Sequence, residues 1–181
     1  MTVPPLPEYF ARFEPTPAHE RPDLLATPVA AAIAGIPEAL VFEIDPDLAY
    51  TATLNAAFDL PDDSAANCVL VAGRRGEDER WVACMALATT RVDVNKTVRK
   101  RLDVRKASFA PMDEAVSRSG MEYGGITPVG LPDEWLIWID AAVHARDWVC
   151  IGAGIRGAKL LVPGAALATL PNAEVVDGLA A

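Results

Sequence analysis

The sequence concentrates its conformationally special residues in one stretch, residues 117–132, which reads SRSGMEYGGITPVGLP. Glycine tolerates positive φ and lets a backbone approach a ligand closely, whereas Pro128 and Pro132 stiffen the same stretch. A backbone that is both permissive and rigid can hold its N–H groups ready for a ligand. A connector with two tight turns would use the same residue types, so both interpretations stay open. The glycines concerned are Gly120, Gly124, Gly125 and Gly130.

Few side chains in this sequence are suited to act as a base or a metal ligand. His19 lies in a proline-rich segment, which leaves His144 as the candidate base, and no G-x-S-x-G motif accompanies it. The three cysteines, Cys68, Cys84 and Cys150, are widely spaced and never form a C-x-x-C pair. We therefore predict no metal site and no cofactor. An odd number of scattered cysteines favours reduced thiols in the cytoplasm over a disulfide framework.

A literal G-x-G-x-x-G runs from Gly152 through Gly154 to Gly157, which is the spacing of a dinucleotide-binding turn. Such a turn must lead into a helix, and Pro163 followed by Gly164 would interrupt that helix after barely one turn. Too few residues follow for the rest of a nucleotide-binding sheet. We therefore predict a simple turn between two strands.

The charge is unevenly distributed along the chain. A formal net charge of −9 argues against a protein that coats nucleic acid nonspecifically, and we predict no DNA partner. Residues 96–106, however, hold six basic side chains and one acid. Lys96, Arg99 and Lys100 have the i, i+3, i+4 spacing of one helix face. A solvated helix face and a phosphate-binding patch both fit this pattern. The predicted buried stripe behind it is Val94, Val98, Leu102 and Val104.

Hydrophobic periodicity and turn residues predict an irregular alternation of helices and strands, which is a mixed α/β class. Strands are predicted at 39–44, 136–139, 148–151 and 159–162, and a β-hairpin at 66–72 and 81–88. Helices are predicted at 28–35, 46–58, 112–119, over the basic segment, and after Pro163.

Length and composition predict a single domain. The 181 residues are 51% apolar and 23% charged, and no apolar run approaches the ~20 residues of a membrane-spanning helix. The N-terminus lacks the features of a signal peptide. Six of the fifteen prolines lie in residues 1–22, so we expect a proline-rich leader without a packed element there and one domain over 23–181.

Residues 112–130 contain the predicted helix from Met112, the Ser-Arg-Ser-Gly that ends it, and then Gly-Gly-Ile-Thr-Pro-Val-Gly. This segment resembles the YbaK / prolyl-tRNA synthetase-associated editing domain family. In that family a Gly-Gly loop lines an amino-acid pocket. The resemblance extends from the Thr27-Pro28 helix to the closing helix near Leu167. It implies a strongly curved, barrel-like mixed β-sheet surrounded by helices.

This resemblance implies a trans-acting deacylase that hydrolyses the ester between a wrong amino acid and the 3′ end of tRNA. An aminoacyl ester is already activated, so placing water and stabilising the developing oxyanion can suffice. The residues implied in catalysis are Gly124, Gly125, Ile126, Thr127 and Asn67. Those implied in substrate binding are Pro128, Asp140, Gly152, Gly154, Lys96 and Lys100.

One position departs from the family pattern. The family usually has a lysine at the start of a central strand, where this chain has Asn67. An amide donates hydrogen bonds but brings no positive charge, and Lys96 or Lys159 would have to supply it from elsewhere. A non-catalytic binder of aminoacyl-tRNA or of a small aminoacyl compound therefore stays open, as does an unrelated enzyme or binding module on this fold. The amino acid, the tRNA and the oligomeric state do not follow from the sequence.

Overall fold

The computed structural model describes residues 2–181, and within them nine β-strands alternate with six α-helices. The strands are β1 (Thr16–Pro17), β2 (Leu40–Glu43), β3 (Ala66–Arg75), β4 (Asp78–Leu87), β5 (Lys106–Phe109), β6 (Leu136–Asp140), β7 (Val149–Gly152), β8 (Ala158–Val162) and β9 (Ala173–Val176). The helices are α1 (Glu8–Ala11), α2 (Thr27–Ala32), α3 (Thr51–Phe58), α4 (Arg99–Arg101), α5 (Met112–Ser119) and α6 (Ala141–His144). None of these helices is both long and apolar enough to cross a lipid bilayer.

The strands form two sheets that meet at one edge. One sheet has the order β1-β2-β8-β7 and is antiparallel throughout. The other has the order β5-β3-β4-β6-β9, in which β6 runs parallel to both of its neighbours. A single bridge between Ala65 and Cys150 connects the sheets, at the start of β3 and in the middle of β7. The predicted mixed α/β class with a barrel-like arrangement is confirmed, although no closed barrel forms within residues 2–181.

Apolar side chains fill the space on both faces of these sheets. All five residues of β8 are buried, because β8 is a central strand packed on both faces. The largest buried cluster joins β8 and β6 to helix α2, and Trp81 and Trp135 stack within it at 4.6 Å between ring centroids. Burial on both faces explains why β8 does not alternate between apolar and polar residues: four of its five residues are apolar, and Lys159 is the exception.

Several predicted elements are confirmed closely. The helix at 112–119 is α5, and the strands predicted at 136–139, 148–151 and 159–162 are β6, β7 and β8. The hairpin extends further than predicted, because Arg75 and Asp78 still pair across a two-residue turn in which Gly76 has a φ of 65°. The G-x-G-x-x-G segment is a turn between the antiparallel strands β7 and β8, as predicted.

The basic segment differs from the single helix that was predicted. A π-helical turn, Val94–Val98, continues into α4 and ends before Asp103, whose φ of 55° is left-handed. The chain then turns into β5, which pairs with β3. The helical prediction is therefore wrong over its last residues, because pairing with β3 outweighs local helix propensity. The predicted buried stripe is confirmed: Val94, Val98, Leu102 and Val104 are all buried.

The expectation of no packed element in residues 1–22 is wrong. Helix α1 buries Phe10 completely, and β1 pairs with β2. The Trp148 indole N–H donates to the Pro4 carbonyl at 2.9 Å. Prolines suit this segment because each stands where no ladder N–H is required, as in the two-residue strand β1 at a sheet edge. A domain boundary at residue 22 stays a prediction.

Candidate active site

A cleft of about 620 Å³ opens where the two sheets meet. Its walls come from the start of β3, helix α3, the end of β4, strands β7 and β8, and the glycine-rich loop after α5. Four of the residues that the resemblance implies in catalysis or substrate binding line it together: Asn67, Gly124, Ile126 and Gly152. Many other lining side chains are small, including Ala52, Ala65, Ala66 and Ala88.

Lys159 places its ammonium group in this cleft. The residue lies on β8, is only 6% exposed, and donates one hydrogen bond from Nζ to the Ala49 carbonyl at 2.6 Å. No carboxylate within residues 2–181 forms an ion pair with it. Burial lowers the pKa of Lys159. A buried cation without a counter-ion is costly, so such a group is usually kept to meet an electron-rich partner.

Asn67 lies at the beginning of β3 with its amide at the cleft. The Thr51 hydroxyl donates to Asn67 Oδ1 at 2.9 Å, which fixes the orientation of the amide. Nδ2 then has no acceptor within residues 2–181. Asn67 therefore offers the cleft a neutral hydrogen-bond donor.

The glycine-rich loop has fewer free backbone N–H groups than the sequence implied. Gly125 N–H donates to the Glu122 carbonyl at 2.9 Å, so it is already engaged in a turn. The N–H groups of Gly124 and Ile126 have no acceptor within residues 2–181. Gly124 needs to be glycine because its φ is 91°. Two of the three implied backbone donors thus stay free.

The loop packs directly against the turn between β7 and β8. A Cβ at Gly152 would lie 2.3 Å from the Gly125 carbonyl oxygen, and one at Gly125 would lie 2.6 Å from the Ile155 carbonyl oxygen. Gly154 N–H donates to the Gly125 carbonyl at 2.7 Å. The glycines of both segments therefore let two backbones touch, and this contact holds one wall of the cleft.

Other residues implied by the resemblance lie outside the cleft wall. Thr127 and Pro128 belong to the glycine-rich loop but are buried and do not line the cleft, and Gly154 packs against helix α2. Asp140 uses both carboxylate oxygens on backbone N–H groups, those of Ala142 at 2.9 Å and Ala180 at 3.0 Å. Asp140 therefore caps α6 and fastens the C-terminal segment, which leaves no carboxylate oxygen directed to a substrate.

The two lysines of the basic segment are exposed, away from the cleft. Lys96 lies in the π-helical turn, which the Asp93 side chain caps by accepting from Lys96 N–H at 3.1 Å. Lys100 lies in α4. Neither forms a salt bridge within residues 2–181, so both charges are available to solvent or to a ligand.

Sequence reasoning missed the clamp at the mouth of the cleft. Arg156 donates to the Pro46 carbonyl at 3.0 Å and to the Tyr123 carbonyl at 3.3 Å, and its guanidinium lies 5.1 Å from the centroid of the Tyr50 ring. It thereby ties the start of the α3 segment to the glycine-rich loop. No local pattern signals this role, because its partners come from distant parts of the chain.

Thiol chemistry and metal binding find little support in the cleft. Burial raises the pKa of Cys68 and raises that of Cys150 to about 11, so both thiols carry their protons at neutral pH. His144 does not line the cleft. Within residues 2–181 no three histidine, cysteine, aspartate or glutamate side chains are grouped to hold a metal ion.

The family model of the aminoacyl-tRNA editing domain matches residues 45–170. This is more than half of the chain, and the protein belongs to that family. The matched residues include Asn67, the glycine-rich loop and Lys159, so the whole cleft lies within the family domain.

Solved structures share this fold at low sequence identity. One is a protein proposed to be a trans-editing enzyme for prolyl-tRNA synthetase, with a TM-score of 0.71 and 19% identity over 84% of this chain and 94% of that chain. Another is a hypothetical protein with a TM-score of 0.68 and 18% identity over 78% of this chain and 90% of that one. At such identities the likeness establishes the fold alone.

Proposed function

We propose that the protein is a trans-acting deacylase that hydrolyses the ester of mischarged aminoacyl-tRNA in the cleft. The observation that carries this proposal is the buried, unpaired ammonium of Lys159 in the family's cleft. A deacylase needs a group that stabilises negative charge on the ester oxygen, and a desolvated cation is strong in that role. The family membership and the fold support the same reaction class.

In the proposed reaction, water adds to the ester carbonyl and forms a tetrahedral intermediate with a negatively charged oxygen. The Lys159 ammonium and the free N–H groups of Gly124 and Ile126 stabilise that oxygen. The bond from the acyl carbon to the ribose oxygen then breaks. The amino acid leaves as a carboxylic acid that keeps the oxygen and one proton of the water, and the second proton ends on the released ribose oxygen, which becomes a hydroxyl. A ribose hydroxyl beside the ester helps to position the water.

Lys159 also offers a source for the positive charge that Asn67 lacks in comparison with the family's lysine. The resemblance implies a lysine at the start of β3, and this chain has Asn67 there, with Lys159 opening into the same cleft from β8. We propose that the cation is supplied from β8 and that Asn67 orients the substrate through Nδ2. The alternative of a non-catalytic binder loses its main support if Lys159 has this role.

The small side chains of the wall set the proposed selectivity. Ala52, Ala65, Ala66 and Ala88 leave a bounded space for the aminoacyl side chain. Apolar walls select by excluding larger groups, and one methylene changes binding by about 1–3 kcal/mol. The proposed partner is therefore tRNA carrying an amino acid that fits this space. We also propose a cytoplasmic location, which suits three free thiols.

The test is a deacylation assay across a panel of mischarged tRNAs with four proteins. Lys159→Met should lower the rate constant about 10²- to 10³-fold, as expected for loss of one oxyanion-stabilising group. The double variant Lys159→Met with Asn67→Lys should recover part of that loss. Arg74→Gln removes an exposed positive charge outside the cleft and serves as the control. Wild-type protein that binds aminoacyl-tRNA without hydrolysing any member of the panel would establish the binder instead.

A further inference from the structure

A second cavity adjoins the cleft, and the proposed reaction does not use it. This side groove has a volume of about 360 Å³ and is lined by Asn67, Val69, Arg91, Val92 and Phe109, among others. Asn67 lines both cavities, so they are neighbours along β3. A volume above ~300 Å³ is in the range of small-ligand sites.

Two side chains of the groove have the chemistry of a nucleotide site. Phe109 ends the edge strand β5 and is 65% exposed, which is unusual for a large apolar ring. Arg91 is exposed and forms no salt bridge within residues 2–181. An accessible aromatic face stacks on any base, and a free guanidinium binds phosphate oxygens.

The π-helical turn and α4 together form a basic turn, residues 94–101, which lies beside the same groove. Val69 and Val92, which line the groove, pack on the cluster that contains Val94 and Val98. The exposed side of that turn carries Lys96 and Lys100. A chain with a net charge of −9 thus presents a local positive surface next to the groove. This charge complements the backbone of a polynucleotide.

We propose that the side groove binds the 3′-terminal nucleotide of the tRNA, with the terminal base stacked on Phe109 and the 5′ phosphate of the preceding nucleotide at Arg91. The ester attached to that nucleotide then enters the cleft past Asn67. This inference rests on the proposed function, because it places the nucleotide that carries the aminoacyl group. It assigns nucleotide binding to the groove and acyl selection to the cleft.

The experiment measures binding of a tRNA acceptor-stem hairpin and of the same hairpin without its terminal adenosine. Wild type should bind the complete hairpin about 5- to 150-fold more tightly, the range expected for one stacked base. Phe109→Ala should bind both hairpins equally, and Phe109→Trp should keep the preference. Arg91→Gln should weaken binding of both. Met112→Ala, an exposed apolar side chain outside the groove, and Arg74→Gln are the matched controls.

The outcomes separate this inference from the proposed deacylase. If Phe109→Ala keeps the wild-type preference for the terminal adenosine, or if wild type binds neither hairpin, the groove assignment is overturned. If the preference disappears in Phe109→Ala and wild type hydrolyses no aminoacyl-tRNA, nucleotide binding in the groove is supported and the proposed deacylase activity is rejected. Because Phe109, Arg91, Met112 and Arg74 are all exposed, every variant should keep the melting temperature of wild type.

Discussion

Lys159 holds a positive charge at a position that gives it one hydrogen bond and no ion pair within residues 2–181. Removing an ion from water costs several kcal/mol even after the protein relaxes, and the Ala49 carbonyl returns only part of that. The fold thus tolerates a destabilising side chain in its cleft. Such a conflict between stability and local chemistry is typical of a functional residue.

Lys159→Met should therefore stabilise the protein although it lowers the rate of hydrolysis. We expect a gain of about 1–3 kcal/mol in the free energy of unfolding near neutral pH, measured by urea denaturation. A lower thermal stability of Lys159→Met than of wild type would show that the hydrogen bond to Ala49 outweighs the desolvation of the charge.

The same residue predicts a pH dependence. Burial lowers the pKa of Lys159 from its usual 10.5, so the folded chain releases this proton at a lower pH than the unfolded chain. Between the two pKa values the unfolded chain binds more protons, and the stability contributed by this site rises with pH. The advantage of Lys159→Met should accordingly shrink as the pH approaches 10.5. Hydrolysis by wild type should decline over the same interval, because the ammonium loses its proton.

At the scale of elements, the glycine-rich loop and the β7–β8 turn work as one unit. Their backbones touch at Gly125 and Gly152, and Arg156 ties the loop to the segment before α3. The cleft wall is therefore held by backbone contact and one guanidinium. This arrangement keeps the free N–H groups of Gly124 and Ile126 in place without a regular element.

Gly125→Ala should destabilise the fold, because the new Cβ would lie 2.6 Å from the Ile155 carbonyl oxygen. Overpacking against backbone costs about 1–3 kcal/mol, and we expect the melting temperature to fall by about 4–8 °C for a loss of 2 kcal/mol. Gly35→Ala is the control, since nothing lies within 4 Å of its Cβ. An unchanged melting temperature together with lost hydrolysis would instead assign Gly125 to the chemistry.

The basic turn is a separate element from the cleft, and we expect it to affect tRNA affinity without affecting the choice of amino acid. Lys96→Glu with Lys100→Glu should weaken tRNA binding and lower the slope of log affinity against log salt by about 2. The relative rates across a panel of aminoacyl groups should not change. Arg74→Glu with Arg75→Glu makes the same charge change on the β3–β4 hairpin. If the two double variants weaken tRNA binding equally, the basic turn acts only through the net charge of the protein and is not a specific contact site.

At the scale of the whole molecule, the N-terminal segment belongs to the packed structure. Phe10 is completely buried, and Phe13 stacks on Phe42 of β2 at 4.5 Å between ring centroids. The cluster that contains Phe10 also contains Leu54, Ala65 and Cys150, three residues that line the cleft. The N-terminal segment thus packs in the same apolar cluster as part of the cleft wall.

Phe10→Ala should therefore cost about 3–5 kcal/mol, the usual loss for a large buried aromatic side chain. Chemical denaturation would measure the loss. Val3→Ala is the control in the same segment, because Val3 is exposed. A loss below about 1 kcal/mol would show that the segment packs without contributing to the stability of the domain.

The sequence by itself determined the elements whose signals are local. Alternating or continuous apolar residues defined β3, β4, β6, β7 and β8, and the α5 helix ended at Gly120 as predicted, because that glycine adopts the left-handed conformation that ends helices. The position of the glycine-rich loop also followed from local sequence. These features depend on neighbours along the chain, so no knowledge of the fold was required.

Tertiary structure alone decided which groups meet in the cleft. Lys159 reaches the Ala49 carbonyl across 110 positions, because β8 pairs with both β2 and β7 at the junction of the two sheets. The engaged N–H of Gly125, the two occupied oxygens of Asp140 and the burial of Phe10 are also long-range or loop-specific contacts. Their energies come from desolvation and from partners far apart in sequence. Neither quantity is encoded in the residue types or spacing of any single segment.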